Sequence, residues 1–237
     1  MKKSMLQALM LGTLCGLAAQ TRAEEFTGQY LITGNVSTQA PAMPSLNNRL
    51  TANYAPPAMK GNFDFRLERY TENSYHTDNG AMTRERKFEG QVNFNYPLTE
   101  HLNVTVGALR HENYTFRDNY NWAVAGLSWT GDIANGLALT TALLAEKRNH
   151  GGSAFYDFSG TLEQHMSEKA SIFATAHIYE NLGESDLTPS HKREFEAGLN
   201  YAISKRYFAG ISYFYHQQVG DPSDRFSFVK VKLGTNF

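Results

Sequence analysis

The chain has 237 residues, 13% of them aromatic, with 22 basic against 23 acidic side chains and a formal net charge of −1. It lacks the basic excess that would serve nucleic acid. Beyond the N-terminus no stretch approaches the roughly 18 consecutive apolar residues of a membrane-crossing helix, so the composition leaves two options: a water-soluble β-protein, or a barrel whose apolar residues are spread one in two.

In chain order, Lys2 and Lys3 form a positive n-region and Met5 to Ala19 an apolar h-region. Thr21-Arg22-Ala23 then offers small residues around a cleavage point, so residues 1–23 read as a secretory signal peptide and 24–237 as one mature domain. Leu14 precedes Cys15 where a lipoprotein signal needs a small residue. Removal of the leader takes the one cysteine with it and leaves acids in slight excess over bases. The exported domain is then held without disulfides.

From Phe26 onwards alternation replaces helical periodicity. Phe26 to Val36 reads as a first strand, and in Asn62 to Glu68 Phe63, Phe65 and Leu67 oppose Asp64, Arg66 and Glu68. Glu89 to Tyr96 sets Gly90, Val92, Phe94 and Tyr96 against Glu89, Gln91, Asn93 and Asn95; Leu137 to Glu146 turns Leu137, Leu139, Leu143 and Ala145 one way. Such segments are strands with a single apolar face. Short turns are expected at Ala55-Pro56-Pro57, Pro97 to Glu100, Gly131 to Gly136, Ser167 to Lys169 and Ser204 to Arg206. Longer loops are expected near Ala40 to Ser45, Ser74 to Glu85, Thr115 to Asn121, Arg148 to Ser153, Leu182 to Lys192 and Gln217 to Asp224. This spacing predicts an all-β, closed antiparallel transmembrane barrel of about 12 strands, with short periplasmic turns and longer external loops. The stretches Phe88 to Glu112, Phe158 to Glu180 and Phe195 to Gln217 repeat one plan of strand, tight polar turn and returning strand. The final strand, Phe228 to Phe237, carries Val229, Val231, Leu233 and Phe237 on one side and Lys230 and Lys232 on the other.

The apolar faces gather aromatics near both edges: Tyr54, Phe63, Tyr96, Trp129, Tyr201 and Tyr207 by the short turns, and Phe88, Trp122, Tyr156, Phe195, Tyr213 and Tyr215 towards the long loops. Rings with a polar tip suit a membrane interface. The polar faces carry Asp64, Glu68, Glu89, Glu146, Asp157, Glu163, Glu194 and Glu196 with Arg49, Arg66, Lys230 and Lys232. Arg110 has no assigned side. The candidate pore-lining residues are Asp64, Arg66, Glu68, Glu89, Glu146, Asp157, Glu163, Glu194, Glu196, Lys230 and Lys232. Twelve strands fall between the side-chain-filled eight-stranded barrel and the wide porin.

A leader, amphipathic strands, alternating connections and a terminal Phe on an apolar-alternating strand resemble the bacterial outer-membrane β-barrels. By size and strand count the chain is similar to the small monomeric porins of the oligogalacturonate and sialic-acid channel family. The resemblance implies an outer-membrane location in a Gram-negative cell and passive transport of small solutes. It also implies contact with outer-membrane lipids and lipopolysaccharide, and recognition of the strand ending at Phe237 by the barrel-assembly machinery. Porins for acidic sugars are expected to present basic walls, whereas acids dominate here, which predicts a preference for cations or neutral solutes. The alternative is a closed barrel with a surface-binding or exopolysaccharide-associated structural role.

Enzymatic readings are weaker. A lipid hydrolase needs His and Ser two apart on a strand, and His165-Met166-Ser167 offers that spacing at a short turn, on the wrong side for outer-leaflet lipid. A barrel protease needs Asp and His at the external rim, where His76-Thr77-Asp78 is a lone pair. No histidine spacing matches a metal motif and no cofactor is expected. Asn35-Val36-Ser37 and Asn113-Tyr114-Thr115 match a glycosylation triplet without meaning in such a barrel.

Overall fold

The computed structural model describes residues 26–37, 45–76, 81–115, 119–148, 154–181, 191–219 and 225–237; the leader, Cys15 and Thr77-Asp78 lie outside them. Twelve strands follow in chain order: β1 (Phe26–Ser37), β2 (Ser45–Tyr54), β3 (Asn62–His76), β4 (Ala81–Pro97), β5 (Leu102–Asn113), β6 (Asn119–Ala134), β7 (Leu137–Arg148), β8 (Ala154–His165), β9 (Ala170–Asn181), β10 (Lys192–Ala202), β11 (Tyr207–Gln218) and β12 (Arg225–Asn236). Each pairs antiparallel with its chain neighbours, and β12 pairs β1 from Gln29↔Asn236 to Ser37↔Phe228, closing the barrel. Closure leaves no row of unpaired backbone groups, the condition for a sheet in lipid.

The seam explains the terminal Phe. Gly28 N–H donates to the Phe237 carbonyl (2.9 Å) and Phe237 N–H to the Gly28 carbonyl (3.0 Å). The Phe237 ring crosses Gly28, where any Cβ would strike it, and stacks on Phe26 with ring centres 6.3 Å apart. Glycine is required there by close approach.

The faces are inverted relative to a soluble barrel. Leu127 (46%), Leu143 (49%), Ile211 (53%) and Leu233 (58%) are exposed on the outside, and the buried apolar set among the described residues is only Phe26, Ala52, Leu109 and Val124. An apolar belt continuous around the molecule has no place in water; it is the lipid-facing surface of a transmembrane barrel.

Three short turns share one chemistry. In Leu98 to His101, Met166 to Lys169 and Ile203 to Arg206 a hydroxyl accepts two backbone N–H groups: Thr99 from His101 (3.2 Å) and Leu102 (3.0 Å), Ser167 from Lys169 (3.2 Å) and Ala170 (3.1 Å), Ser204 from Arg206 (3.2 Å) and Tyr207 (3.1 Å). The two-residue turn Asn135-Gly136 places Gly136 at φ 70°, the left-handed region that glycine enters freely.

Several boundaries differ from the sequence expectation. Most of Ser74 to Glu85 is not loop: β3 and β4 stay paired to His76↔Ala81. Asn119 to Asn121 belong to β6, and Gly131 to Ala134 remain strand with a register shift between Asp132 and Ala134. The connections 38–44 and 55–61 are equal in length, so the contrast between the two ends lies partly in long hairpins instead of long loops. Polar hairpin ends need no lipid-facing alternation, which is why they read as loop.

Candidate functional site: the barrel lumen

Side-chain alternation and the cross-strand register fix which residues face inward. The inner row of β3 is Asp64, Arg66, Glu68 and Tyr70; its partners place Gln91, Asn93 and Glu89 inward on β4 and Thr105, Leu109 and His111 inward on β5. Carried round the ladder, the same parity turns Glu146, Asp157, Glu163, Glu194, Glu196, Lys230 and Lys232 inward. All eleven candidate residues therefore lie on the inner face. Arg110, level with Gly90, lies on the outer face. Glu85, Lys87 and Lys192 add charges to the inner face at the external end.

One expectation is corrected. Trp122 is not in the outer aromatic band: it pairs with Leu109 and faces inward, whereas Trp129, seven residues on, faces outward. The odd separation alone requires opposite faces.

Four of the inward bases, Arg49, Arg66, Lys230 and Lys232, cluster on β2, β3 and β12, and each lies against a carboxylate. Arg49 on β2 grips Glu68 through Nε (2.9 Å) and a terminal nitrogen (3.0 Å), with Asn47 also donating to that carboxylate. Arg66 on β3 reaches Glu89 at 3.5 Å, and Tyr70 Oη donates to the same group at 3.2 Å. On β12, Lys230 (2.5 Å) and Lys232 both donate to Glu196, which also accepts from Ser212 Oγ at 2.7 Å. Lys230 Nζ lies 4.0 Å from the Phe214 ring centre and Lys232 Nζ 4.6 Å from that of Phe173, favourable cation–π placements.

The opposite wall is different. From β5 to β9 no lysine or arginine with a described side chain faces inward. Asp157 meets His177 Nδ1 (3.3 Å), Glu194 meets His216 Nδ1 (3.0 Å), and Glu163 accepts from Ser171 Oγ (2.5 Å). Glu146 has no hydrogen bond or ion pair among the described residues.

Two further layers flank these charges. Towards the end with the short turns, Asp64 is held by Asn53, Asn62 and Asn95. It lines a cavity of about 650 Å³ with Gln29, Thr51, Asn53, Arg66 and Gln91. Towards the outside, His111 stacks on Tyr120 (4.4 Å, 8°), Tyr120 meets Trp122 edge-on (5.6 Å), Trp122 meets Phe155 (4.7 Å), and His216 stacks on Phe226 (4.4 Å, 12°). Sequence reasoning missed this inner aromatic layer, although the parity of each strand carried it.

The catalytic candidate dissolves at its serine. Ser167 Oγ is occupied by its own turn, and His165 ends β8 at the same edge of the barrel. Three or more metal-ligating side chains do not gather anywhere among the described residues.

No family model matches the chain, and no curated protein does. Solved structures do. The NanC porin superimposes with a TM-score of 0.61 at 15% identity, covering 88% of this chain and 98% of that one. The KdgM porin in complex with disordered oligogalacturonate gives 0.55 at 10%, covering 89% and 98%. The translocator domain of the autotransporter NalP from Neisseria meningitidis gives 0.56 at 15%, covering 100% and 97%. The fold is shared with these barrels. At such identities the likeness carries architecture, and one fold hosts several activities.

Proposed function

We propose that the protein is a porin-like channel of the bacterial outer membrane, passing small solutes by diffusion, with a preference for cations and neutral polar molecules. The observation that carries this reading is the uneven lumen: Arg49, Arg66, Lys230 and Lys232 each lie against a carboxylate, while Glu146, Asp157 and Glu163 on β7 and β8 have no lysine or arginine partner among the described residues. Rings of carboxylates favour cations. The amide-rich cavity around Asp64 adds donors and acceptors suited to neutral solutes. Two similar structures bear the name porin, one of them holding an oligogalacturonate; the acidic wall argues that this chain's solutes differ in charge. The reading assigns no catalytic residue and no cofactor.

A second reading rests on the aromatic layer. If Trp122, Phe155, Phe226 and their neighbours close the external half, the barrel is a structural or surface-binding element. Planar bilayers separate the two. Discrete conductance, together with swelling of loaded liposomes by small sugars, supports the channel; silence in both assays overturns it.

A further inference from the structure

At the end of the barrel away from the short turns, the outward apolar rows of three adjacent strands give way to arginine. On β3 the outward row runs Phe63, Phe65, Leu67 and then Arg69; on β4 it runs Phe94, Val92, Gly90, Phe88 and then Arg86; on β5, Val104, Val106 and Ala108 lead to Arg110 and Glu112. The register gathers these ends. Arg69 stands opposite Phe88, Phe88 opposite Glu112, Arg110 opposite Gly90 and Arg86 opposite Thr71. Adjacent strands lie about 5 Å apart and same-face neighbours along a strand about 7 Å, within reach of an arginine side chain. Three guanidiniums can therefore converge around one Phe ring.

Arg110 is held by Glu112 (3.3 Å) and Asn121 (3.0 Å). Arg69 and Arg86 are exposed, and their guanidiniums have no ion-pair partner among the described residues. The charge also extends around the rim: Lys147, Arg193 and Arg225 face outward at the same end of their strands. The outward acids among the described residues there are Glu112 and Glu180, the latter bonded to His191. The described chain ends, Phe26 and Phe237, are at the other end of the barrel.

A lipid-facing arginine is tolerated near an interface because its stem lies along apolar surface while its head reaches polar groups. Guanidiniums bind phosphate in bidentate geometry. We propose that Arg69, Arg86 and Arg110, grouped around Phe88, bind the phosphate groups of a phosphorylated glycolipid in the outer leaflet, with the Phe88 ring against its acyl chains. The site rests on the outer-membrane placement above and not on conduction, since every residue named faces away from the lumen.

The test is native mass spectrometry of the full-length barrel in detergent, titrated with rough lipopolysaccharide, its phosphatase-treated form, or inorganic phosphate. The wild type should retain the phosphorylated lipid, with dephosphorylation or the triple substitution R69Q/R86Q/R110Q weakening binding by about tenfold or more. Glu112→Gln frees Arg110 and should tighten binding about twofold, a gain that misfolding does not produce. Wild-type affinity in the triple variant, equal affinity for the dephosphorylated lipid, or displacement by equimolar inorganic phosphate would overturn the site. Single-channel conductance of the triple variant reports separately on the channel reading and should equal that of the wild type.

Discussion

The β12–β1–β2–β3 wall and the β7–β9 wall of the lumen use similar residues for different ends. On the first, every base is placed against a carboxylate: Arg49 on Glu68, Arg66 on Glu89, and Lys230 with Lys232 on Glu196. These pairs tie β2 to β3, β3 to β4, and β12 across β11 to β10. On the second, Asp157 has a histidine partner, Glu163 a serine, and Glu146 none among the described residues. Paired charges are structural cross-links whose removal strands a partner. Unpaired carboxylates contribute little to the fold and, if the barrel conducts as proposed, leave a net field that favours cations. The difference separates what holds this barrel from what a solute would meet.

Substitutions on the first wall should have the largest effect on stability. Glu196→Gln leaves Lys230 and Lys232 facing each other without a counter-ion and should cost about 3 kcal/mol, read as a lower denaturation midpoint in detergent. Adding Lys232→Met should recover part of the loss. Arg49→Gln strands the buried Glu68 carboxylate; because the guanidinium is 41% exposed and screened by water, the expected cost falls to about 1 kcal/mol. A turn change belonging to neither wall, Ser204→Ala, removes two accepted N–H bonds at an exposed site and should cost about 0.5 kcal/mol without altering conductance. On the second wall, Glu146→Gln should change stability by less than about 0.5 kcal/mol while reducing cation preference. A loss from Glu146→Gln as large as that from Glu196→Gln would erase the contrast between the walls.

Much of this architecture is written in the period-two pattern. The strand number, the closing role of Phe228 to Phe237 and the inward side of the charged residues all follow from alternation, because lipid punishes a polar residue on the wrong face. β6 is where that logic weakens. Small residues, Ala123 and Ala125, face lipid there, and the bulky Trp122 and Val124 face inward, so hydrophobicity alone points the wrong way. Spacing from Trp129 would have corrected it. The partners of the carboxylates were not legible at all. His177 meets Asp157 and His216 meets Glu194 through cross-strand register, which depends on turn lengths and on details such as the shift in β6. The paired stretch above Arg69 was hidden for the opposite reason: outside the membrane no alternation is enforced.

Charge in the lumen is read by the reversal potential across a planar bilayer under a potassium chloride gradient. Discrete channels are expected, with a potential of the sign that marks cation preference, moving towards zero in Glu146→Gln. Channels of anion preference, or a potential indifferent to Glu146, would contradict that expectation.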